Sequence, residues 1–168
     1  SPSRGLGDVY KRQINFPIEK VYEALSSANY WAYEVENIGD EPGEVNSFTP
    51  EPIEAVLFEL LPKSALPEAV RGMVSQDLKL KRVVEFGPLA DGTTTGKVNA
   101  EVKGAPVSFS ADVTLNGSGD STELKADCAV DVKIPMMGAV LEPKVAEWVE
   151  EFLTREAALI QKWISDNA

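Results

Sequence analysis

Between residues 78 and 134 the chain runs four times through a two-residue alternation of apolar and polar side chains, with turn chemistry between the runs. Leu78, Leu80, Arg82, Val84 and Phe86 share one side of the first run, and Asp91-Gly92 then reverses the chain. Thr94, Gly96, Val98, Ala100 and Val102 share a side of the second, and Gly104-Ala105-Pro106 makes the next corner. Val107, Phe109, Ala111, Val113 and Leu115 follow, with Asn116-Gly117 expected to turn into a last run in which Thr122, Leu124, Ala126, Cys128, Val130, Val132 and Ile134 face one way. Strands joined by such short turns pair antiparallel, and a period of two leaves one wet face and one covered face. The cover comes next in the chain. From about 139–143 to 165 the spacing predicts a helix whose stripe is Val145, Trp148, Val149, Phe152, Leu159, Ile160 and Trp163. It would be roughly 37 Å long, enough to lie across a curved sheet.

Upstream, a short strand is expected at 14–16, and Pro17 opens a helix over 17–26 carrying Val21, Tyr22 and Leu25. A second short helix over 29–36 carries Tyr30, Trp31 and Val35. Strands are expected at 44–49 and 53–61, around Pro50 and Pro52. Leu66, Val70, Met73 and Val74 then take helical spacing after a Ser64 cap, predicting a helix over 64–75 inserted between strands. Residues 1–7 have no usable periodicity, and Asp8-Val9-Tyr10-Lys11-Arg12-Gln13 resemble a translated sequencing-library adapter. We therefore expect 1–13 to be non-native and 14–168 to form one domain.

Composition removes whole classes of function. The net charge of −11 would repel a polyanion, which argues against nucleic acid as a partner. With no histidine, Ser-His-Asp and Cys-His relays and histidine metal clusters are excluded, and no metal or cofactor is expected. The single Cys128 cannot form an internal disulfide, and no apolar run is long enough to span a bilayer, so a cytoplasmic setting is expected. Cys128 itself reads as a small buried hydrophobe, since no base is at hand to ionise it. Gly92–Val98 is a poor match to a phosphate loop: its first glycine is one place late and Val98 stands where Ser or Thr is needed.

Two residues break the apolar pattern. Counting about 100° per residue, Glu156 falls within about 20° of Val145 and Trp163, in the middle of the helix stripe. Arg82 sits between Leu80 and Val84 on the covered side of its strand. A buried charge needs a partner, so each residue predicts the other, either as a structural ion pair or as the polar floor of an apolar pocket, unless both side chains reach solvent past the edge of the core. Small residues at Gly96, Ala100, Ala111, Ala126 and Cys128 would leave space opposite the helix unless its aromatic side chains fill it. The expected pocket is lined by Arg82, Val84, Val98, Ala100, Phe109, Ala111, Cys128, Trp148, Phe152 and Glu156, with Met73 and Met137 at its mouth. A space of roughly 300 Å³ or more would favour ligand binding; a filled one would leave an acidic module for a basic protein partner.

Phe16-Pro17 through Leu25, Leu66-Pro67, Gly104-Ala105-Pro106-Val107, and Ile134-Pro135-Met136-Met137-Gly138 leading through Glu142 to Glu156 and Trp163-Ile164 are similar to a bacterial family, domain of unknown function 2505, of the START-like (SRPBCC) superfamily. The resemblance spans about 14–165. It implies a helix-grip α+β fold, a curved seven-stranded antiparallel sheet wrapped around the C-terminal helix and enclosing a cavity, and it carries over no catalytic residue. The leading expectation is a non-catalytic binder of a small hydrophobic or amphipathic molecule, lipid- or polyketide-like. The alternative is a cyclase- or dehydratase-like site in which Glu156 is acid or base, helped by Tyr22 or Tyr33.

Overall fold

The computed structural model describes residues 3–4, 8–61, 68–72, 78–133 and 138–168. In chain order the elements are β1 (Ser3–Arg4), β2 (Asp8–Ile14), α1 (Ile18–Leu25), α2 (Ala28–Asn37), β3 (Glu44–Pro50), β4 (Ile53–Leu61), α3 (Glu68–Arg71), β5 (Leu78–Phe86), β6 (Thr93–Lys103), β7 (Val107–Ser118), β8 (Ser121–Val132) and α4 (Gly138–Asn167). The strands form one antiparallel sheet in the order β8-β7-β6-β5-β4-β3, and β1 and β2 share the outer edge of β8, so that eight strands fill seven positions. Of the helix expected over 64–75, residues 68–71 are helical; the remainder, with Ser64, Leu66 and Met73, lies outside the described residues.

The alternation from 78 onward is realised side for side. Leu78, Leu80, Arg82, Val84 and Phe86 of β5 are buried, as are Thr122, Leu124, Ala126, Cys128, Val130 and Val132 of β8. Asp91 and Gly92 both take positive φ, the conformation a tight two-residue hairpin requires. The turn expected at Asn116-Gly117 falls three residues later, at Gly119-Asp120, because β7 continues through Ser118, which pairs with Ser121. Gly117 serves a different purpose: a Cβ there would lie 2.6 Å from Ile18 Cγ2, so its bare backbone is what admits α1 against the sheet. Gly117→Ala is therefore expected to cost about 1–3 kcal/mol, read from chemical denaturation, through displacement of α1.

The first strand also differs from expectation. It ends rather than begins at Ile14, pairing from Asp8 opposite Cys128 to Ile14 opposite Thr122. Backbone ladder bonds do not depend on side-chain identity, which is why this stretch can complete the edge. Arg12 goes further, donating from Nε to Thr154 Oγ1 on α4 at 3.1 Å.

On α4 the deepest positions are Val149, Leu153, Glu156, Ala157, Ile160 and Ile164, a stripe turned about one residue from the expected one. Trp163 lies at its flank, edge-on to Tyr30 at 6.0 Å between ring centroids. The core joins this stripe to α1, α2 and the inner sheet face from Ile53 to Cys128.

Candidate functional site

Helix and sheet meet closely along the C-terminal half of α4 and less closely along its N-terminal half. Ala111, Ala126 and Cys128, expected to leave room, are sealed beneath Val149, Leu153, Ala157 and Ile160 in one cluster, and Val84 lies in the same core. A Cβ at Gly96 would collide with the Glu85 carbonyl oxygen and lie 2.5 Å from the Phe86 ring, so the neighbouring strand takes up the room its missing side chain leaves. Small residues here admit the helix and a neighbouring ring, so Val84, Ala111 and Cys128 belong to packing.

Towards the start of α4 the inward-facing Val98, Phe109, Val145, Trp148 and Phe152 all keep part of their surface accessible. A cleft of about 270 Å³ opens there beside Trp148 and Phe152, with Glu59, Leu60 and Leu80 on its sheet side and Ile38, Gly39 and Asp40 at its rim. Arg155 holds the rim by donating to the Ile38 carbonyl at 3.2 Å, with Asp40 3.8 Å away. Trp148 and Phe152 stack at 5.4 Å, forming an aromatic wall. Met137, expected at the mouth, lies outside the described residues, as does Met73.

Beneath the cleft is a buried polar cluster. Arg82, on the rung it shares with Ala100, is 2 % exposed and donates two hydrogen bonds to Glu34 of α2, from Nη1 at 2.8 Å and from Nη2 at 2.6 Å. Nη2 also donates to Glu59 of β4, and the guanidinium lies 5.0 Å from the centre of the Phe152 ring. The expected direct Arg82–Glu156 pair is thus corrected: Glu34 and Glu59 hold the arginine, and Glu156 completes the cluster from α4 without a salt bridge to it. The reason is reach along the sheet. Glu59 projects from the strand paired with Arg82, and Glu34 enters from α2, so both take the guanidinium's donors before the helix can.

Burial works against the Arg82 charge, but Glu34 and Glu59 hold it above its ordinary ionisation range. Glu156 is the opposite case. Desolvation first, then the adjacent Glu34 carboxylate, push its carboxyl well up, and Arg82 only partly counters them, so it keeps its proton to higher pH than an ordinary carboxyl. Tyr30, fully buried on α2, is likewise pushed up by burial and then by Glu156. The two groups are neighbours, yet Tyr30 Oη, Glu156 Oε2 and Arg82 Nε each lack a hydrogen-bond partner of acceptable length and angle among the described residues.

The tyrosine at the cluster is therefore Tyr30. Tyr22 donates to the Gly87 carbonyl at 2.9 Å, and Tyr33 packs on Trp163, so neither assists Glu156. Glu34, Glu59 and Tyr30 escaped sequence reasoning, although the same signals were present: Glu59 continues the inward alternation Ile53, Ala55, Leu57, and Glu34 stands with Tyr30, Trp31 and Val35 on the apolar face of α2. Among the described residues no group of three or more potential ligands is placed to hold a metal ion, and no helix is long and apolar enough to cross a membrane.

A curved antiparallel sheet gripping a long C-terminal helix, with two short helices after the first strand position, defines the helix-grip fold of the START-like and Bet v 1-like class. Solved structures share it. Norcoclaurine synthase from Thalictrum flavum superposes with a TM-score of 0.62 at 16% identity, over 98% of this chain and 88% of that one. A protein from Thermus thermophilus gives 0.64 at 12% identity, over 97% and 99%. The chain belongs to the family described as Protein of unknown function (DUF2505), whose model matches residues 9–164. A relative from Mycobacterium tuberculosis strain H37Rv, described as an uncharacterized protein, is 23% identical over 164 residues, 89% of this chain and 91% of its own.

Proposed function

We propose that the protein binds a small hydrophobic or amphipathic molecule between the sheet and the N-terminal half of α4. The observation that carries this reading is a cleft of about 270 Å³ walled by the partly accessible Trp148 and Phe152, with Leu60, Leu61 and Leu80 on its sheet side and Glu59, the partner of the buried Arg82, in its lining. Apolar surface on the covered side of a sheet is costly to leave in water, and an apolar guest removes it. The cleft volume, close to the lower end of the range for small-molecule sites, favours a modest ligand or one that enters only in part.

Trp148 in the cleft wall supplies the readout. Organic extraction of the purified protein followed by mass spectrometry should return an enriched small apolar molecule, and a titration with short-chain lipids should change the tryptophan emission. An empty extract together with an unchanged emission would remove this reading.

A second reading, general acid–base chemistry, rests on the buried Glu156 carboxyl beside Tyr30, whose affinity for its proton is raised by burial. It predicts that any turnover discovered for the protein falls by at least about 100-fold in Glu156→Gln. The cytoplasmic setting, the adapter origin of residues 1–13 and the single domain over 14–168 belong to the same set of proposals. Resequencing of the source DNA that found Asp8–Gln13 encoded in place would end the adapter reading.

A further inference from the structure

We propose that the ligand of this cleft carries a protonated amine, directed at Glu59 in the cleft lining and at the Glu34 and Glu156 carboxyls buried behind it, and not a carboxylate or phosphate. The inference rests on the cavity reading above and adds to it the sign of the ligand's charge.

The buried cluster sets three carboxyl groups, Glu34, Glu59 and Glu156, against one guanidinium. Arg82, the residue that would otherwise draw an anionic head group inwards, already spends both its terminal nitrogens on Glu34 and Glu59. An anionic ligand would lose its hydration and then meet two ionised carboxylates, with no uncommitted cation of the cluster in compensation. Glu59 also lines the cleft, and the cleft's other ionisable residues are Asp40, Glu151 and Arg155, with Arg155 turned towards Asp40, so the approach is acidic too.

The second observation is independent of that charge balance. Glu156 is 9 % exposed, and its Oε2 is fully enclosed without a hydrogen-bond partner among the described residues; the Tyr30 hydroxyl beside it is in the same state. Tyr30 and Glu34 lie close enough to Glu156 to interact with it, but these contacts fall short of good hydrogen-bond geometry, and a carboxyl and a phenol left so incompletely satisfied in the interior are costly. An ammonium group offers three donors and a compensating positive charge, which suits an enclosed carboxylate. Arg82 Nε, a donor in the same position, would take a hydroxyl or carbonyl oxygen carried by the same ligand.

Seating the ammonium should convert Glu156 from its neutral to its ionised form. The groups that face it are Tyr30 and Glu34 from α2, Glu59 from β4 and Arg82 from β5; the incoming positive charge offsets the repulsion from the two glutamates that otherwise keeps the proton on Glu156. Binding at neutral pH is then accompanied by proton release.

The test uses the full chain and three probes of one chain length, octylamine, octan-1-ol and sodium octanoate, titrated by tryptophan emission at about 0.15 M salt, where attraction to the acidic surface is largely screened. Octylamine should bind at least about tenfold more tightly than octan-1-ol, and octanoate more weakly than either. Glu156→Gln should remove most of the advantage of octylamine over octan-1-ol, read as the ratio of their affinities for the same variant. Calorimetry of the octylamine titration in two buffers of different ionisation heat should report release of about one proton. If octan-1-ol binds but the amine has no advantage, or Glu156→Gln leaves that advantage intact, the amine inference is overturned and the cavity reading stands. If none of the three binds, both fall.

Discussion

Replacing Arg82 by Met is expected to lower the free energy of unfolding by about 3–5 kcal/mol, a large fraction of what holds a domain of this size together. The loss comes from what the substitution leaves behind more than from what it removes. Glu34 is fully buried and receives both of its Arg82 hydrogen bonds from the guanidinium, and Glu59 is 9 % exposed. Without the cation, two carboxylates face each other and Glu156 in a poorly hydrated interior and must either take up protons or draw water into the core. The triple variant Arg82→Met, Glu34→Gln, Glu59→Gln removes those charges and should recover a large part of the loss, even though it lacks every ion pair of the cluster. Urea denaturation at neutral pH, with midpoints compared at equal slopes, measures both effects. A single variant within about 1 kcal/mol of the parent would mean that the cluster is solvated and behaves as a surface pair.

The second large effect concerns pH. Glu156 holds its proton above the ordinary carboxylate range when folded, because of burial first and Glu34 second. Between the ordinary value and the raised one the native state binds the more protons, so unfolding becomes easier as pH rises across that interval. This contribution to stability is fully present below the ordinary carboxylate value, is lost as pH climbs through the folded value, and is constant beyond it. For one proton the slope cannot exceed about 1.4 kcal/mol per pH unit. Glu156→Gln, which has the shape of the neutral acid and no proton to lose, should track the parent at mildly acidic pH and become progressively more stable than it towards neutral and alkaline pH. Subtracting the two stability profiles cancels the titration of the other carboxylates, and a difference that is flat with pH would show that Glu156 is ionised in the folded protein.

Both expectations turn on residues whose oddness shows in one dimension. Arg82 interrupts an alternation, and Glu156 interrupts a helical stripe; each is visible because a period of 2 or of 3.6 assigns a side chain to a face without any knowledge of what lies opposite. Glu59 could have been found by the same rule. Glu34 is harder to see, since α2 has only ten residues and its apolar face is narrow. What no period could supply is the pairing. The partner of Arg82 was expected on α4 because that helix crosses the sheet, but the strand register sets Glu59 two residues along from Leu57, the residue opposite Arg82, and on the same face, and the docking of α2 brings Glu34 to it from the side. The small residues mislead for a related reason. Gly96 and Ala111 are both small in the sequence, yet the adjacent β5 backbone and Phe86 ring crowd one and the α4 stripe packs over the other.

The sequence by itself determined the elements, their faces and the antiparallel order of β5 to β8, because alternation, hairpin chemistry and helical spacing act over a few residues and are satisfied locally. It also determined that charges would lie inside. Only the tertiary structure decided where α4 touches the sheet and where it stands away, which carboxylates hold Arg82, and which one is left without a salt bridge to it. Those outcomes depend on distances between segments far apart in the chain, set by how α1 and α2 dock and how the sheet curves, and electrostatic interactions in a poorly hydrated interior change steeply with such distances.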